Sequence, residues 1–291
     1  ISAPARAAIA ARAGAEITDM QYIQFHPTAL YTGKENPLFL ISEAVRGFGA
    51  HIVNDEGKRF LFKYDIRGEL ATRDMVSSAI SKELQISGKS HVYLDCRHLE
   101  AKAFSKQFPV ITAHCNELGI RPEKDLIPAA HYQCGGIKVD QNGVTSIKNL
   151  YAIGECARTG LHGKNRLASN SLLEGLVFAH QASENVDKTI AEFIFSSQIL
   201  IPKFPKAHQV DDYLAFEILK KELQKLVTSF YTSEERDAEL AFEKIKELHN
   251  YAVSLTEAHE ITIPFIEFSN MIAASLLIIK QCKAAEDQKI C

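Results

Sequence analysis

The residues with chemistry to offer sit where one kind of local structure gives way to another. Gln24 and His26 follow an alternating apolar run, Ser42 and Glu43 lie in a short helical pattern, and Arg73 opens a longer one. His131 precedes the Gly135-Gly136 pair, and Arg166 precedes Ser169-Asn170-Ser171 and an apolar helix. Element ends and loops are where binding groups are usually held. Two histidines, two arginines and a hydroxyl suit a small molecule with a carboxylate at each end, because the planar guanidinium gives paired, charge-assisted hydrogen bonds to a carboxylate. The stretch HGKNRLASNSLLEG, residues 162–175, adds a helix N-terminus one turn after an arginine. Its unpaired N–H groups and partial positive charge suit an anion or an electron-rich ring.

Every one of these residues also has an ordinary reading. His26 before Pro27 is what the end of a strand looks like, and Arg73 has Asp74 and Glu69 to pair with at a surface. His131 beside Tyr132 is consistent with a satisfied core histidine, and Arg166 with a loop surface charge. Glu43 is as well placed to anchor Arg46 at i, i+3 as to touch a ligand. Spacing alone leaves these alternatives open.

The chain that must position them has 291 residues, 46% hydrophobic and 24% charged, with net charge −3. That is an ordinary globular composition with room for two domains. It carries no charge excess that would point to nucleic acid or a membrane surface. No apolar run reaches the roughly 18 residues of a membrane span, the most apolar stretch, Met271 to Ile279, being too short, and no signal-peptide pattern is visible. None of the six cysteines forms a C-x-x-C pair, which argues against a zinc site or a disulfide framework. A reducing cytoplasm is the default expectation.

The patterning predicts a helix over Pro4–Ala13 closed at Gly14 and a strand over Glu16–Phe25 ended by His26-Pro27-Thr28. A helix over 37–46 and strands around the Asp55-Glu56-Gly57 turn follow. Thr72 is expected to cap a helix over Arg73–Gln85, ahead of a strand over Val92–Leu94. A helix over Phe104–Leu118, interrupted near Pro109, precedes a loop over Pro128–Cys134. After strands at Ile137–Val139 and Leu150–Ile153, Ser169, Asn170 and Ser171 supply N-cap chemistry for a helix to about Ile194. Pro202 and Pro205 mark a linker. Three amphipathic patterns, about 210–230, 233–256 and 262–286, predict a three-helix bundle.

The wording of six segments adds what spacing cannot. QFHPTAL (24–30), LISEAVRGFGAHIVNDEGKRF (40–60), RGELATRDMV (67–76), PAAHYQCGGIKVD (128–140), LYAIGE (150–155) and HGKNRLASNSLLEG (162–175) occur in that order. The chain thereby resembles the succinate dehydrogenase/fumarate reductase flavoprotein superfamily and, within it, the L-aspartate oxidases. Three details favour the latter: Gly-Glu-Leu-Ala before Thr72-Arg73-Asp74, Cys134 where relatives usually have Met, and Ala168 with Glu174. The resemblance covers residues 1–200 and a helical tail.

The resemblance implies an α+β protein: an α/β capping domain plus the residual part of an FAD-binding α/β domain, followed by a C-terminal three-helix bundle. It divides the chain into a residual FAD-domain segment over 1–19, a capping domain over 20–133, the returning FAD-domain part over 134–200 and a helical domain over 201–291. In the family's pattern His26 and Ser42 hold one substrate carboxylate, His131 and Arg166 hold the other, and Gln24 and Glu43 line the same pocket. Arg73 takes the place of the proton-shuttling arginine. Glu155, Asn170, Ser171 and Leu172 match flavin contacts, and no metal is implied. The implied reaction is FAD-dependent oxidation of L-aspartate to iminoaspartate, with dioxygen or fumarate as acceptor. It is the first step toward quinolinate and NAD, in the cytoplasm, with quinolinate synthase as a partner. The alternatives are a soluble fumarate reductase or succinate dehydrogenase flavoprotein, and a non-catalytic fragment acting as a scaffold.

Some positions depart from the family's pattern. No G-x-G-x-x-G is present; Gly47-Phe48-Gly49 lacks the third glycine and the preceding strand. Pro4-Ala5-Arg6 stands where relatives tend to have Gly-Asp-Gly, Phe48 where an acidic residue is common, and Lys164 where Ala is usual. The expectation is that an N-terminal segment of a longer protein precedes Ile1, and that residues 1–291 alone hold FAD weakly or not at all.

Overall fold

The computed structural model describes residues 2–31, 38–119, 123–192, 213–233, 236–255 and 262–287. In chain order the elements are α1 (Ala3–Arg12), β1 (Ile17–Thr18), β2 (Ile23–Leu30), α2 (Glu43–Gly47), β3 (His51–Val53), α3 (Arg73–Ser87) and β4 (Val92–Asp95). Next come α4 (Ala101–Gln107), α5 (Pro109–Glu117), β5 (Glu123–Gln133), β6 (Gly136–Lys138) and β7 (Ala157–Arg158). The chain continues with α6 (Asn170–Thr189), α7 (Tyr213–Thr232), α8 (Ala238–Leu255) and α9 (Ile263–Asp287). Contacts divide it into two compact units, residues 24–132 and residues 1–23 with 133–291.

In unit 24–132 the strands order as β2-β5-β4-β3. β3 pairs antiparallel with β4, Ile52 opposite Leu94, and β4 pairs antiparallel with β5. Four expectations are corrected here. β2 does not stop at His26; it runs through Pro27 to Leu30. An edge strand tolerates proline because one side of its ladder needs no donor from that residue. Residues 128–133 are not a loop but the end of β5. The four-stranded sheet supplies the partner that the sequence pattern there does not announce. The helix expected over 37–46 starts only at Glu43, because Ser42 takes the N-cap position and its hydroxyl accepts from the Ala44 N–H at 3.3 Å; residue 37 lies outside the described residues. Thr72 stands at the N-cap of α3, but its side chain makes no capping bond. A core of Leu30, Ile52, Phe60, Val76, Ile80 and Leu94 lies between sheet and helices.

In the other unit, β1, β6 and β7 form a three-stranded sheet in the order β1-β6-β7. The Gly135-Gly136 pair is needed for its closeness. A Cβ on Gly135 would lie 2.0 Å from the Asp19 carbonyl oxygen, and one on Gly136 would lie 2.4 Å from that of Cys156. α7, α8 and α9 pack together as expected, with Phe216, Leu223, Ile245, Phe268 and Ile272 in their core. α9 contacts α1 as well as α7 and α8, which requires apolar residues around most of its circumference. For that reason α9 is long and apolar enough by composition to cross a membrane, with mean hydropathy 1.5 over Ile263–Glu286, although charged residues interrupt the run. Gln281 of α9 ties it to the sheet: its amide oxygen accepts from the Met20 N–H at 2.7 Å, and its amide nitrogen donates to the Ile17 carbonyl at 2.9 Å. The Pro202–Pro205 linker lies outside the described residues.

Candidate functional site

The candidate residues fall in two groups, one in each unit. In unit 24–132 the period-two geometry of β2 turns Gln24, His26 and Thr28 to the same side, and all three are buried. His131 on the neighbouring β5 meets His26 edge to face, with ring centroids 5.2 Å apart. α2 brings Glu43 and Arg46, and the first residue of α3 brings Arg73. Glu43 lies between the two guanidiniums: one carboxylate oxygen is 3.1 Å from Arg46, and the other accepts from Arg73 Nε at 2.7 Å. Arg73 also donates to the Gln24 amide oxygen at 3.4 Å. Its partner is therefore Glu43, neither Asp74 nor Glu69. Ser42 is exposed beside this group at the start of α2.

The electrostatics follow from burial. Burial pushes the Glu43 carboxyl up, but the hydrogen bond from Arg73 and the charge of Arg46 outweigh it and hold Glu43 below the ordinary carboxylate range. Burial lowers the Arg46 guanidinium, against the pull of Glu43. His26 is lowered to about 3, by burial first and then by Arg73, His131 and Arg46. It is therefore neutral at ordinary pH. The Thr28 N–H donates to its Nδ1 at 3.3 Å, which leaves the proton on Nε2 and makes that nitrogen a donor. Two guanidiniums against one carboxylate leave this group net positive. With a neutral imidazole donor beside it, the group can bind an anion and orient it.

Arg46 joins this group only in the folded chain. It is 2% exposed and donates to the Glu69 carbonyl oxygen. Its i, i+3 relation to Glu43 was the only sequence signal, and that signal is common on helix surfaces.

In the other unit Arg166 is buried and donates to the Ser171 hydroxyl at 3.3 Å. Ser169, the N-cap of α6, has φ +69 and makes no side-chain capping bond, so the expected serine cap is not formed. The left-handed turn that swings the loop onto the helix carries its hydroxyl out of capping geometry. Leu172 in the first turn is 82% exposed. Glu155 accepts from the Gln133 N–H at 3.1 Å. The loop carrying Arg166 is anchored by Glu174 of α6, which is 3% exposed. Glu174 receives the Thr159 hydroxyl on one carboxylate oxygen and lies 2.7 Å from His162 Nε2 on the other. Burial raises the Cys134 thiol, against the opposing pull of Arg166. Glu174, His162 and Thr159 were missed as a group. They are 12 and 15 residues apart in sequence, and only the fold joins them. Among the described residues no cluster of three or more His, Cys, Asp or Glu could hold a metal ion.

The model of the FAD binding domain family matches residues 5–172. The chain is 48% identical over 184 residues to L-aspartate oxidase of Streptomyces coelicolor, covering 62% of this chain and 32% of that protein. It is 36% identical over 283 residues to L-aspartate oxidase of Acinetobacter baylyi, covering 94% of this chain and 51% of that one. Among solved structures it is similar to a quinol-fumarate reductase with menaquinol molecules, with TM-score 0.74 and 27% identity, over 98% of this chain and 55% of that chain. The chain thus spans about half the length, or less, of the relatives it matches.

Proposed function

We propose that this chain, which belongs to the FAD binding domain family, is part of an FAD-dependent L-aspartate oxidase that converts L-aspartate to iminoaspartate. In that reaction the Cα hydrogen leaves with its electron pair, the amino nitrogen loses a proton, and the electron pair ends on dioxygen or fumarate. The observation that carries the reading is the partly buried, net-positive group of Arg73, Glu43 and Arg46 beside a neutral, buried His26. It accompanies similarity to L-aspartate oxidases from two organisms.

The chain's residues take the following roles. In unit 24–132, His26 donates from Nε2 and Ser42 from its hydroxyl to one substrate carboxylate, and His131 serves the other. Gln24 and Glu43 hold Arg73 in orientation rather than touching substrate first. In the other unit, Arg166 is a carboxylate ligand steadied by Ser171, with Glu174 holding its loop. Fixing a substrate at both ends lowers the entropic part of the barrier. When fumarate is the acceptor, Arg73 delivers a proton to carbon. A guanidinium, which holds its protons tightly, does this only if its proton is replaced at once. Glu43, an ionised and partly exposed carboxylate in contact with Arg73, is the group that takes a proton from solvent and passes it to Arg73.

Residues of the second unit fit a flavin. The first turn of α6 presents N–H groups that no Ser169 side chain caps, flanked by the exposed Leu172. Gly154 has open space where a Cβ would lie. Asn170, Ser171, Leu172 and Glu155 would hold the ring end of FAD, and FAD when bound supplies the two-electron chemistry. The fixed dipole of α6 favours negative charge at that position. Without a G-x-G-x-x-G for the diphosphate, residues 1–291 alone retain FAD weakly. A cytoplasmic location and a handover of iminoaspartate to quinolinate synthase belong to the same proposal.

The deciding experiment uses the full-length protein loaded with FAD. Release of peroxide from L-aspartate, with iminoaspartate trapped as product, is expected. Turnover of succinate with none of L-aspartate would favour a succinate dehydrogenase or fumarate reductase instead. No turnover of either would leave only a scaffold role.

A further inference from the structure

Unit 24–132 also holds a cavity of about 310 Å³ that none of the roles above employs. Its walls are mainly Ile41, Val45, Leu94, Leu99, Phe104 and Ile111. The reason it is open lies in the chain's breaks. Pro109 ends the α4 direction and starts α5, with Phe108 at φ −128 and ψ 60 between them. α4 contributes no fully buried residue, but its Phe104 and Ser105 line the cavity. Cys96 and Cys115, 7% and 8% exposed, add two thiols to the apolar lining.

The polar atoms are few and their state limits the occupant. The Thr112 hydroxyl is engaged with the Phe108 carbonyl at 2.9 Å. Arg97 is held by both carboxylate oxygens of Asp95, at 3.0 and 2.9 Å, so the rim is charge-neutral. Ser105 and Asn116 bring one hydroxyl and one amide. An apolar cavity of about 150 Å³ already accommodates benzene, and small-molecule pockets begin near 300 Å³. We propose that this cavity is a binding site for a small neutral aromatic molecule of one or two rings with a single hydrogen-bonding group.

Indole is the probe, and the chain contains no tryptophan, so bound indole can be read directly by its own fluorescence. Titration of indole with the chain is expected to give a saturable blue shift, with a dissociation constant below about 1 mM. Saturating indole is expected to slow alkylation of Cys96 and Cys115, read by mass spectrometry, and to leave Cys282 of α9 unchanged. Ser105 is exposed at the rim. Ser105→Trp is expected to plug the cavity, show its own blue-shifted emission and weaken indole binding by about tenfold or more. The proposal is overturned if no saturable shift occurs up to about 1 mM, if Ser105→Trp binds indole as well as the unmodified chain, or if protection falls on Cys282 alone. The alkylation result on the unmodified chain decides the matter should Ser105→Trp fail to fold.

Discussion

The rings of His26 and His131 meet edge to face, centroids 5.2 Å apart and planes at 79°. Adjacent strands fix that pairing, and burial beside Arg73 and Arg46 holds His26 at about 3, far under its ordinary 6.5. The pH consequence has a definite sign. Above pH 6.5 His26 is neutral in both folded and unfolded chains and adds no slope. As pH falls from 6.5 toward 3, the unfolded chain takes up a proton that the folded one refuses. Stability is therefore lost over that window, by at most about 1.4 kcal/mol per pH unit from this residue. His26→Gln is expected to flatten the fall measured by urea unfolding at stepped pH. An unchanged slope would mean that His26 titrates normally.

Glu43 lies between Arg46 and Arg73, so Glu43→Gln removes the carboxylate that, among the described residues, touches both guanidiniums. In the full-length enzyme, fumarate reduction is expected to fall by about 10²-fold or more. Oxidation of L-aspartate by dioxygen should fall less, because it needs no proton delivered to carbon. Steady-state rates with the two acceptors check this. Equal losses would assign Glu43 a purely structural role.

Arg166→Lys keeps the charge but loses the planar fork and its reach to Ser171. The expected result in the full-length enzyme is a KM for L-aspartate raised about tenfold or more, with kcat changed much less. Initial-rate measurements over a range of L-aspartate decide it.

Glu174 is a buried carboxylate serving Thr159 and His162 at once. Glu174→Ala leaves both partners without it and is expected to destabilise residues 1–291 by about 3–5 kcal/mol, read by denaturant unfolding. Glu174→Gln, which retains an acceptor, should cost distinctly less.

Gly135→Ala would put a methyl group 2.0 Å from the Asp19 carbonyl oxygen, backbone that cannot swing aside as a side chain would. A loss of about 3 kcal/mol is expected. A normal unfolding midpoint for this variant would refute the close approach.

By itself the sequence determined most of what is local. Gly14, Thr72, Pro109 and Gly119 sit at or next to helix boundaries, and the three apolar patterns after residue 210 became α7, α8 and α9. The six ordered segments were enough to indicate an FAD binding domain relative, because each is a continuous string. What only the tertiary structure decided is non-local. The continuation of β2 through Pro27 and the strand at 128–133 depend on partner strands far along the chain. Which carboxylate Arg73 chooses, Glu43 and not Asp74, depends on where α2 and α3 begin relative to each other. The neutrality of His26 comes from burial and from charges on three other elements, terms that no window of sequence contains.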